Sequence, residues 1–424
     1  MAKFSFSGDI DTTGSRTVYD ETGASISLGE EQQLGRTGGG GSVYKLGTDS
    51  NLCIKLFKPQ DLAVNGKRKT ILNTLAAQTK MNYLKSDRRF CWPLGEVYDD
   101  TKAVIGYGMR RIPAGYKTFK SLFFGPKMIS KNFPGWGRRE LATVAKNFVD
   151  AVNDLSRYSV FVADFNPENF MVNKDCEVMF LDCDSYSFYE QNGTAHISDM
   201  YFEENAAPEI LNGGKFTRPE QAEERARFSA AVIAFQLMMN GMNPFSFAGT
   251  AMDGSVIGTV RENIIAGKCP LGCGSGCRMD DAHHALWSWL TSSLQVAFKN
   301  TFRTGHSQPA SRTPLSVLSK ELGKFVFECG RLPGRNDLVP VGEMPRENVA
   351  QHQGMQNSMS HAFANPGMSR PMRPLQRTSW GQNGYSQYGG YPQRPPMSRR
   401  NGNLNNSNYR KFGNGSNNGY YSYN

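Results

Sequence analysis

The chain has 424 residues, 39% of them apolar and 11% aromatic, enough to fill a buried core. Its formal charge of +10 sits at one end: from Pro345 onward nine Lys/Arg face one acid, Glu347, while the first 344 residues hold 39 basic and 37 acidic side chains. A membrane span is excluded by an apolar maximum, Phe228 to Met239, shorter than the roughly 20 residues required, and a secreted disulfide framework by eight scattered Cys behind a start without a signal-like apolar region; reduced thiols in a cytoplasm, bacterial or that of a phage host, are expected.

Residues 1–26 form a polar leader rich in Ser, Thr, Gly and Asp. From 27 to 326, strand-like runs give way to helix-like ones, the order of a two-lobed α+β body with a small β-rich lobe over 27–110 and a larger helical lobe over 111–326. Ser42 to Leu46 and Leu52 to Phe57 are β-prone and separated by Gly47-Thr48-Asp49-Ser50, a hairpin-turn sequence. A helix is predicted over Lys67 to Met81. Leu141, Val144, Phe148, Val152 and Leu155 recur at helical spacing and predict an amphipathic helix over Arg138 to Ser156. Two more helices are predicted, over Phe228 to Met239 and over Ala282 to Phe298, the latter with Leu286, Trp289, Leu290 and Leu294 on its apolar face. Residues 327–344 read as a connector. The tail, 345–424, is poor in Ile, Leu and Val and cannot bury enough surface to offset its ordering entropy, so disorder is expected.

The run from Leu34 to Tyr44 places glycines 38 to 41 directly before a β-prone segment. Lacking Cβ and tolerating positive φ, such glycines let the backbone approach phosphate oxygens; the plainer reading is a Gly-rich hairpin loop. Lys55, twelve residues after Val43, lies between apolar neighbours in the next strand-like run, within reach of nucleotide phosphates or, more plainly, snorkelling from an edge. Asp164-Phe165-Asn166-Pro167-Glu168-Asn169 follows the amphipathic helix and precedes Phe170-Met171-Val172. Thirteen residues after Asn169, Asp182 ends Val178-Met179-Phe180-Leu181. Two carboxylates and one amide at the ends of neighbouring strands suit magnesium, a hard cation that seeks oxygen.

This ordered set resembles the protein-kinase signature of Gly-rich loop, strand Lys, catalytic-loop D-x-x-x-x-N, metal-binding Asp and A-P-E, the last present as Ala207-Pro208-Glu209. Cys91-Trp92-Pro93, Ile105-Gly106-Tyr107-Gly108-Met109, the Asn-Pro inside the catalytic-loop motif and Leu181-Asp182-Cys183-Asp184-Ser185 are further similar to a divergent bacterial and phage family. Its members are Ser/Thr-kinase-like domains, often fused to helix-hairpin-helix or zinc-ribbon modules. The resemblance covers residues 27–326 and implies a bilobal protein-kinase fold that binds ATP with Mg2+ or Mn2+ and moves the γ-phosphoryl group to a protein substrate's hydroxyl. Carried onto this sequence, it implies Lys55 on the α- and β-phosphates and Asp164 accepting or orienting the hydroxyl, with Asn166 where kinases carry a loop Lys. Asn169 and Asp182 would hold the metal. Gly35, Gly38, Gly39, Gly40, Gly41, Val43 and Met109 would enclose the nucleotide, and Glu209 would form a structural ion pair with Arg312.

Several positions depart from that pattern. Arg36 replaces the first loop glycine, with Gly35 beside it. No acid occurs between Asp61 and Asp87, so the helix that usually supplies the partner of the strand Lys offers only Asn73 or Gln78. Asp184 either takes that role or serves as a second metal carboxylate. Val162-Ala163-Asp164 lacks the His-Arg pair, which removes the receptor for an activation-loop phosphate. Ala226 replaces the Asp that starts the central helix of the large lobe, so weaker anchoring of the catalytic loop is expected. These departures leave a pseudokinase scaffold as the alternative, since a fold alone carries no chemistry.

Two features lie outside the motif set. Cys269, Cys273 and Cys277, followed by His283 and His284, have zinc-compatible ligand chemistry at a spacing one residue wider than a zinc knuckle; the alternative is a reduced loop. The tail interleaves Arg with Tyr and Trp380, a composition that suits either nucleic-acid binding by charge and stacking or a tether for a protein partner.

Overall fold

The structure, a computed structural model, describes residues 16–35, 40–47, 51–214, 218–246, 258–271, 277–332 and 334–342. The expectations for the tail, for Gly38 and Gly39, and for Cys273 lie outside those residues.

Six short strands, β1 (Arg16–Tyr19), β2 (Ser25–Leu28), β3 (Ser42–Lys45), β4 (Leu52–Leu56), β5 (Gly95–Tyr98) and β6 (Val104–Arg110), form one sheet in the order β2-β1-β5-β6-β4-β3. Every neighbouring pair is antiparallel. Residues 16–26, assigned to the leader by their composition, thus supply β1 and the start of β2. Val18, Ile26 and Leu28 are buried while the residues between them are polar, and this alternation over four-residue strands disappears in a composition average.

The same alternation gives the sheet two unlike faces. Ile54 and Leu56 pack with Val18, Val97 and Ile105 on one side. Cys53 and Phe57 pack with Tyr107 and Met109 on the other, and Lys55 shares that second face by its odd number in the strand. Three helices follow β4: α1 (Pro59–Ala63), α2 (Asn65–Gln78) and α3 (Asn82–Ser86).

The larger lobe holds α4 (Pro126–Asn132), α5 (Arg138–Arg157), α6 (Pro208–Leu211), α7 (Pro219–Met238), α8 (Val260–Ala266), α9 (Asp281–Ser288), α10 (Ser292–Lys299), α11 (Gly305–Ser307) and α12 (Leu315–Cys329). Its strands are β7 (Lys117–Thr118), β8 (Val160–Phe161), β9 (Phe170–Val172), β10 (Val178–Phe180), β11 (Ser187–Tyr189) and β12 (Ala195–His196), in two small sheets ordered β10-β9-β7 and β12-β11-β8. Helix α5 buries Leu141, Val144, Phe148, Val152 and Leu155, the stripe predicted from spacing, against α7 and α12. At about 25 cal/mol per Å2 of apolar area, each such side chain contributes roughly 1.5 to 3 kcal/mol.

The predicted helix over 282–298 is two helices, α9 and α10. Trp287 and Trp289 stand two positions apart and would point to opposite sides of one helix, yet both are buried. Trp287 joins the main core, whereas Trp289, the C-cap of α9, is buried against the connector near Gly334 and Gly342; Gln295 Nε2 donates to the Trp287 carbonyl, 2.9 Å, across the break. The connector is docked as well: the Asn336 carbonyl accepts from Arg138 N, 2.9 Å, and Trp289 Nε1 donates to the Gly342 carbonyl, 2.9 Å.

The lobes meet along β10. Phe180 N donates to the Arg89 carbonyl, 2.8 Å, and Cys91 N donates to the Phe180 carbonyl, 2.9 Å, so the segment leading into β5 runs beside the strand that leads to Asp182.

Candidate active site

Lys55 is 4% exposed and lies in the middle of β4, where Tyr107 of β6 is its cross-strand partner. Its ammonium donates to both oxygens of Asp184, 2.8 and 3.1 Å, and to Asp182 Oδ1, 3.3 Å. Tyr107 donates its hydroxyl to Asp184 Oδ1, 2.6 Å. Burial works against the charge on Lys55, but Asp184 and then Asp182 outweigh it and hold the ammonium above its ordinary pKa. Burial, reinforced by Asp184, lifts the Tyr107 phenol well above its usual range, so it stays a neutral donor.

The two acids share one tight turn. Asp182, two residues past the end of β10, adopts a left-handed conformation, φ +49°, and the 3-10 turn Cys183–Ser185 follows. Ser185 closes it by donating its backbone N, 3.0 Å, and its hydroxyl, 2.8 Å, to the Asp182 carbonyl. Gln78, at the end of α2, donates Nε2 to the Cys183 carbonyl at 2.8 Å. The residue offered by spacing as a stand-in for the missing helix acid therefore grips the turn's backbone, and Asp184 faces the lysine.

Across the cleft, Asn169 ends a short 3-10 turn, Pro167–Asn169, whose N-cap is Asn166; the Asn166 side chain accepts from Glu168 N, 3.0 Å. Asn169 Nδ2 donates to Asp164 Oδ2, 3.1 Å, and the Asn169 carbonyl accepts from Leu181 N, 2.8 Å. These bonds hold Asp164, Asn169 and the residue before Asp182 in one network. Burial raises the Asp164 carboxyl above its ordinary pKa; the Asn169 hydrogen bond opposes this and the charge of Asp182 adds to it.

Among the predicted glycines, Gly40 sits over the lysine: a Cβ there would lie 3.1 Å from Lys55 Nζ. Gly41 has φ +145°, and a Cβ would meet the Leu56 carbonyl at 2.1 Å, so no other residue fits without moving the strand. Gly35 is exposed and left-handed, φ +70°. Val43 and Met109 join Cys53, Leu34, Met171 and Met179 in one apolar cluster with members from both lobes, beside Lys55.

Two anchors were absent from the sequence reading. Arg225, on α7, is buried and donates Nη2 to the Ala163 carbonyl and to the Met200 carbonyl, both 2.7 Å. Burial pushes its guanidinium down to about 10. Asn205 donates Nδ2 to the Phe165 carbonyl, 2.8 Å. The residues on either side of Asp164 are thereby tied to α7 and to Asn205, although Ala226 stands where the resemblance implies an Asp. Nothing in the sequence set Arg225 apart, since it stands among Glu220, Glu223, Glu224 and Arg227 in the charged first half of α7.

At the base of the lobe Arg312 and Glu209 form the implied pair, Nη1 to Oε1 2.7 Å and Nη2 to Oε2 2.8 Å. Elsewhere His283 Nδ1 faces Asp280 Oδ2 at 2.7 Å within the α9 cap, and Cys269 and Cys277 are buried. Among the described residues no group of three or more His, Cys, Asp or Glu could hold a metal ion, and no helix is long and apolar enough to cross a membrane. The oxygen donors at the cleft, Asp182 with the Asn169 amide, fit a magnesium ion that keeps waters and takes phosphate oxygens, since such a site needs only one or two protein carboxylates.

The curled antiparallel sheet, the helical second lobe and this cleft define a bilobal, protein-kinase-like protein. No family model matches the chain. It is similar to the protein named protein kinase YegI of Escherichia coli strain K12, 25% identical over 306 residues, 72% of this chain and 41% of that one. It is also similar to the protein of the same name from Escherichia coli O157:H7, 24% identical over 231 residues, 54% of this chain and 34% of that one. The chain thus spans less than half the length of the curated relatives it matches, and the likeness is to divergent bacterial protein-kinase-like proteins.

Proposed function

We propose that the chain is an ATP-dependent protein kinase, of Ser/Thr type, that moves the γ-phosphoryl group of ATP onto a protein hydroxyl in the cytoplasm. The observation that supports this best is the meeting of Lys55 from the small lobe with Asp182 from the large one, 3.3 Å apart and one hydrogen-bonded strand away from Asn169 and Asp164. In this reading Lys55 holds the α- and β-phosphates and Gly35 with glycines 38 to 41 covers them. Val43 and Met109 receive the base. Asp164 orients the acceptor hydroxyl, its raised pKa suiting a group that takes a proton late in the transfer, and Asn166 shapes the turn beside it. Asn169 and Asp182 hold Mg2+, which when bound neutralises phosphate charge. Asp184 takes the place of the missing helix acid: both its oxygens face the lysine, and Tyr107 fixes the one nearer to it.

The test is incubation of the purified chain with labelled ATP, magnesium and a cell lysate, beside Asp164→Ala and Asp182→Ala. Label on protein in the wild type that vanishes in both variants supports the proposal. ATP-dependent thermal stabilisation without any transfer would instead establish the scaffold reading.

A further inference from the structure

A concavity of about 640 Å3 lies against the segment that joins the lobes, and one residue of its wall, Met179, also belongs to the apolar cluster of Val43 and Met109. Its walls come from Arg88 and Arg89 ahead of β5, Arg110 and Arg111 at the end of β6, Asn147 on α5 and the start of β10. None of Lys55, Asp164, Asn169, Asp182 or Asp184 lines it. Four arginines from two separate places in the chain therefore line one space that holds two acidic residues.

The local acids leave part of that donor set open. Asp150 and Glu177 are the carboxylates in the wall. Asp150 already accepts from Lys146 Nζ, 2.6 Å, and from Ser319; Glu177 accepts from Asn173 Nδ2, 2.8 Å, and the Tyr116 hydroxyl, 3.2 Å. Arg89 is paired with Asp87, 2.7 Å, and Asp154, 2.9 Å. Arg110 donates Nη2 to the Lys85 carbonyl, 2.8 Å, and makes no ion pair among the described residues. Arg88 is exposed and makes no ion pair among the described residues.

We propose that this cavity binds a small anion with two or more adjacent phosphoryl groups, either a nucleoside polyphosphate or an inorganic polyphosphate. Guanidinium forks match phosphate oxygens in pairs, and a single phosphate could engage one arginine pair but not both. The volume lies within the range of small-molecule sites and well above the size of one phosphate. The occupant would also touch elements tied to the cleft: the Arg89 carbonyl accepts from Phe180 N of β10, which ends two residues before Asp182, and Arg110 and Arg111 open the segment between the lobes. Neither point depends on phosphotransfer by the cleft.

The experiment is calorimetric titration of the full chain with inorganic tripolyphosphate, free of metal, at low salt. Saturable binding that persists in Lys55→Met is expected, weakened roughly tenfold or more there by Arg88→Gln and by Arg110→Gln. Arg88 is exposed, so its variant keeps the test valid if Arg110→Gln fails to fold. Competition by ADP in the Lys55→Met background would identify a nucleotide as the source of the phosphates, and its absence an inorganic chain. Lack of saturable binding would overturn the proposal. So would binding lost in Lys55→Met, or binding no weaker in Arg88→Gln than in Arg157→Gln, a surface arginine outside the cavity.

Discussion

At the base of the large lobe, Arg312 is fully buried and meets one carboxylate, Glu209, fork to fork, while its remaining donors go to the Glu224 and Gly305 carbonyls. In the cleft, Lys55 is as deeply buried but shares its charge between two acids from one turn, one of them 46% exposed. The first arrangement is closed, every charge answered inside the lobe. The second leaves an acid at the solvent edge and an exposed glycine above the lysine. A buried pair complete in itself can only support the fold. A cation and acids that are incompletely matched at a cleft have capacity left for a ligand, and that is where function is to be sought.

Breaking the closed pair should have the largest effect. Glu209→Ala leaves the Arg312 charge buried, at a cost of about 3 to 5 kcal/mol, toward the lower figure because Glu209 is itself 36% exposed. Urea unfolding should show the lost stability, while ATP turnover per folded molecule stays near wild type. The open end should respond in the opposite sense. Asp182→Asn is expected to cut phosphotransfer by about 10² to 10³, with the melting temperature little changed; a variant that melts early but still turns over would erase the distinction between the two regions.

Two smaller effects sharpen the comparison within the cleft. Asp184→Asn keeps the shape but removes the charge facing Lys55, and about a tenfold to hundredfold loss is expected, appearing in KM for ATP as well as kcat. Unaltered ATP kinetics at saturating magnesium would remove Asp184 from the lysine's service. Arg225→Gln deprives the Ala163 and Met200 carbonyls of a charged donor, at about 1.5 to 3 kcal/mol. Hydrogen exchange should then rise first in the segments around Asp164 and Met200; uniform exchange across the lobe would show that Arg225 only stiffens α7.

The order of the elements, the stripe on α5 and the strands β3 and β4 were legible along the chain, because each rests on local periodicity; the pairing of Glu209 with Arg312 was implied only by the family resemblance. The leader's strands were not, since four-residue strands carry too few apolar positions to stand out. Nor was the split between α9 and α10, because both Trp287 and Trp289 fit one apolar run and only the tertiary structure shows that Trp287 packs in the core while Trp289 is covered by the connector.

The cleft divides in the same way. Sequence alone determined the chemical type and order of the cleft residues, a glycine run, a strand lysine and the D-x-x-x-x-N spacing, and their resemblance to the kinase signature supplied the roles proposed for them. Only tertiary structure decided which acid faces Lys55, that Gln78 grips a carbonyl, and that Arg225 ties the loop holding Asp164. Those choices depend on a left-handed turn at Asp182 and on backbone carbonyls brought close from residues 60 or more positions away, and a carbonyl looks the same at every position of a sequence.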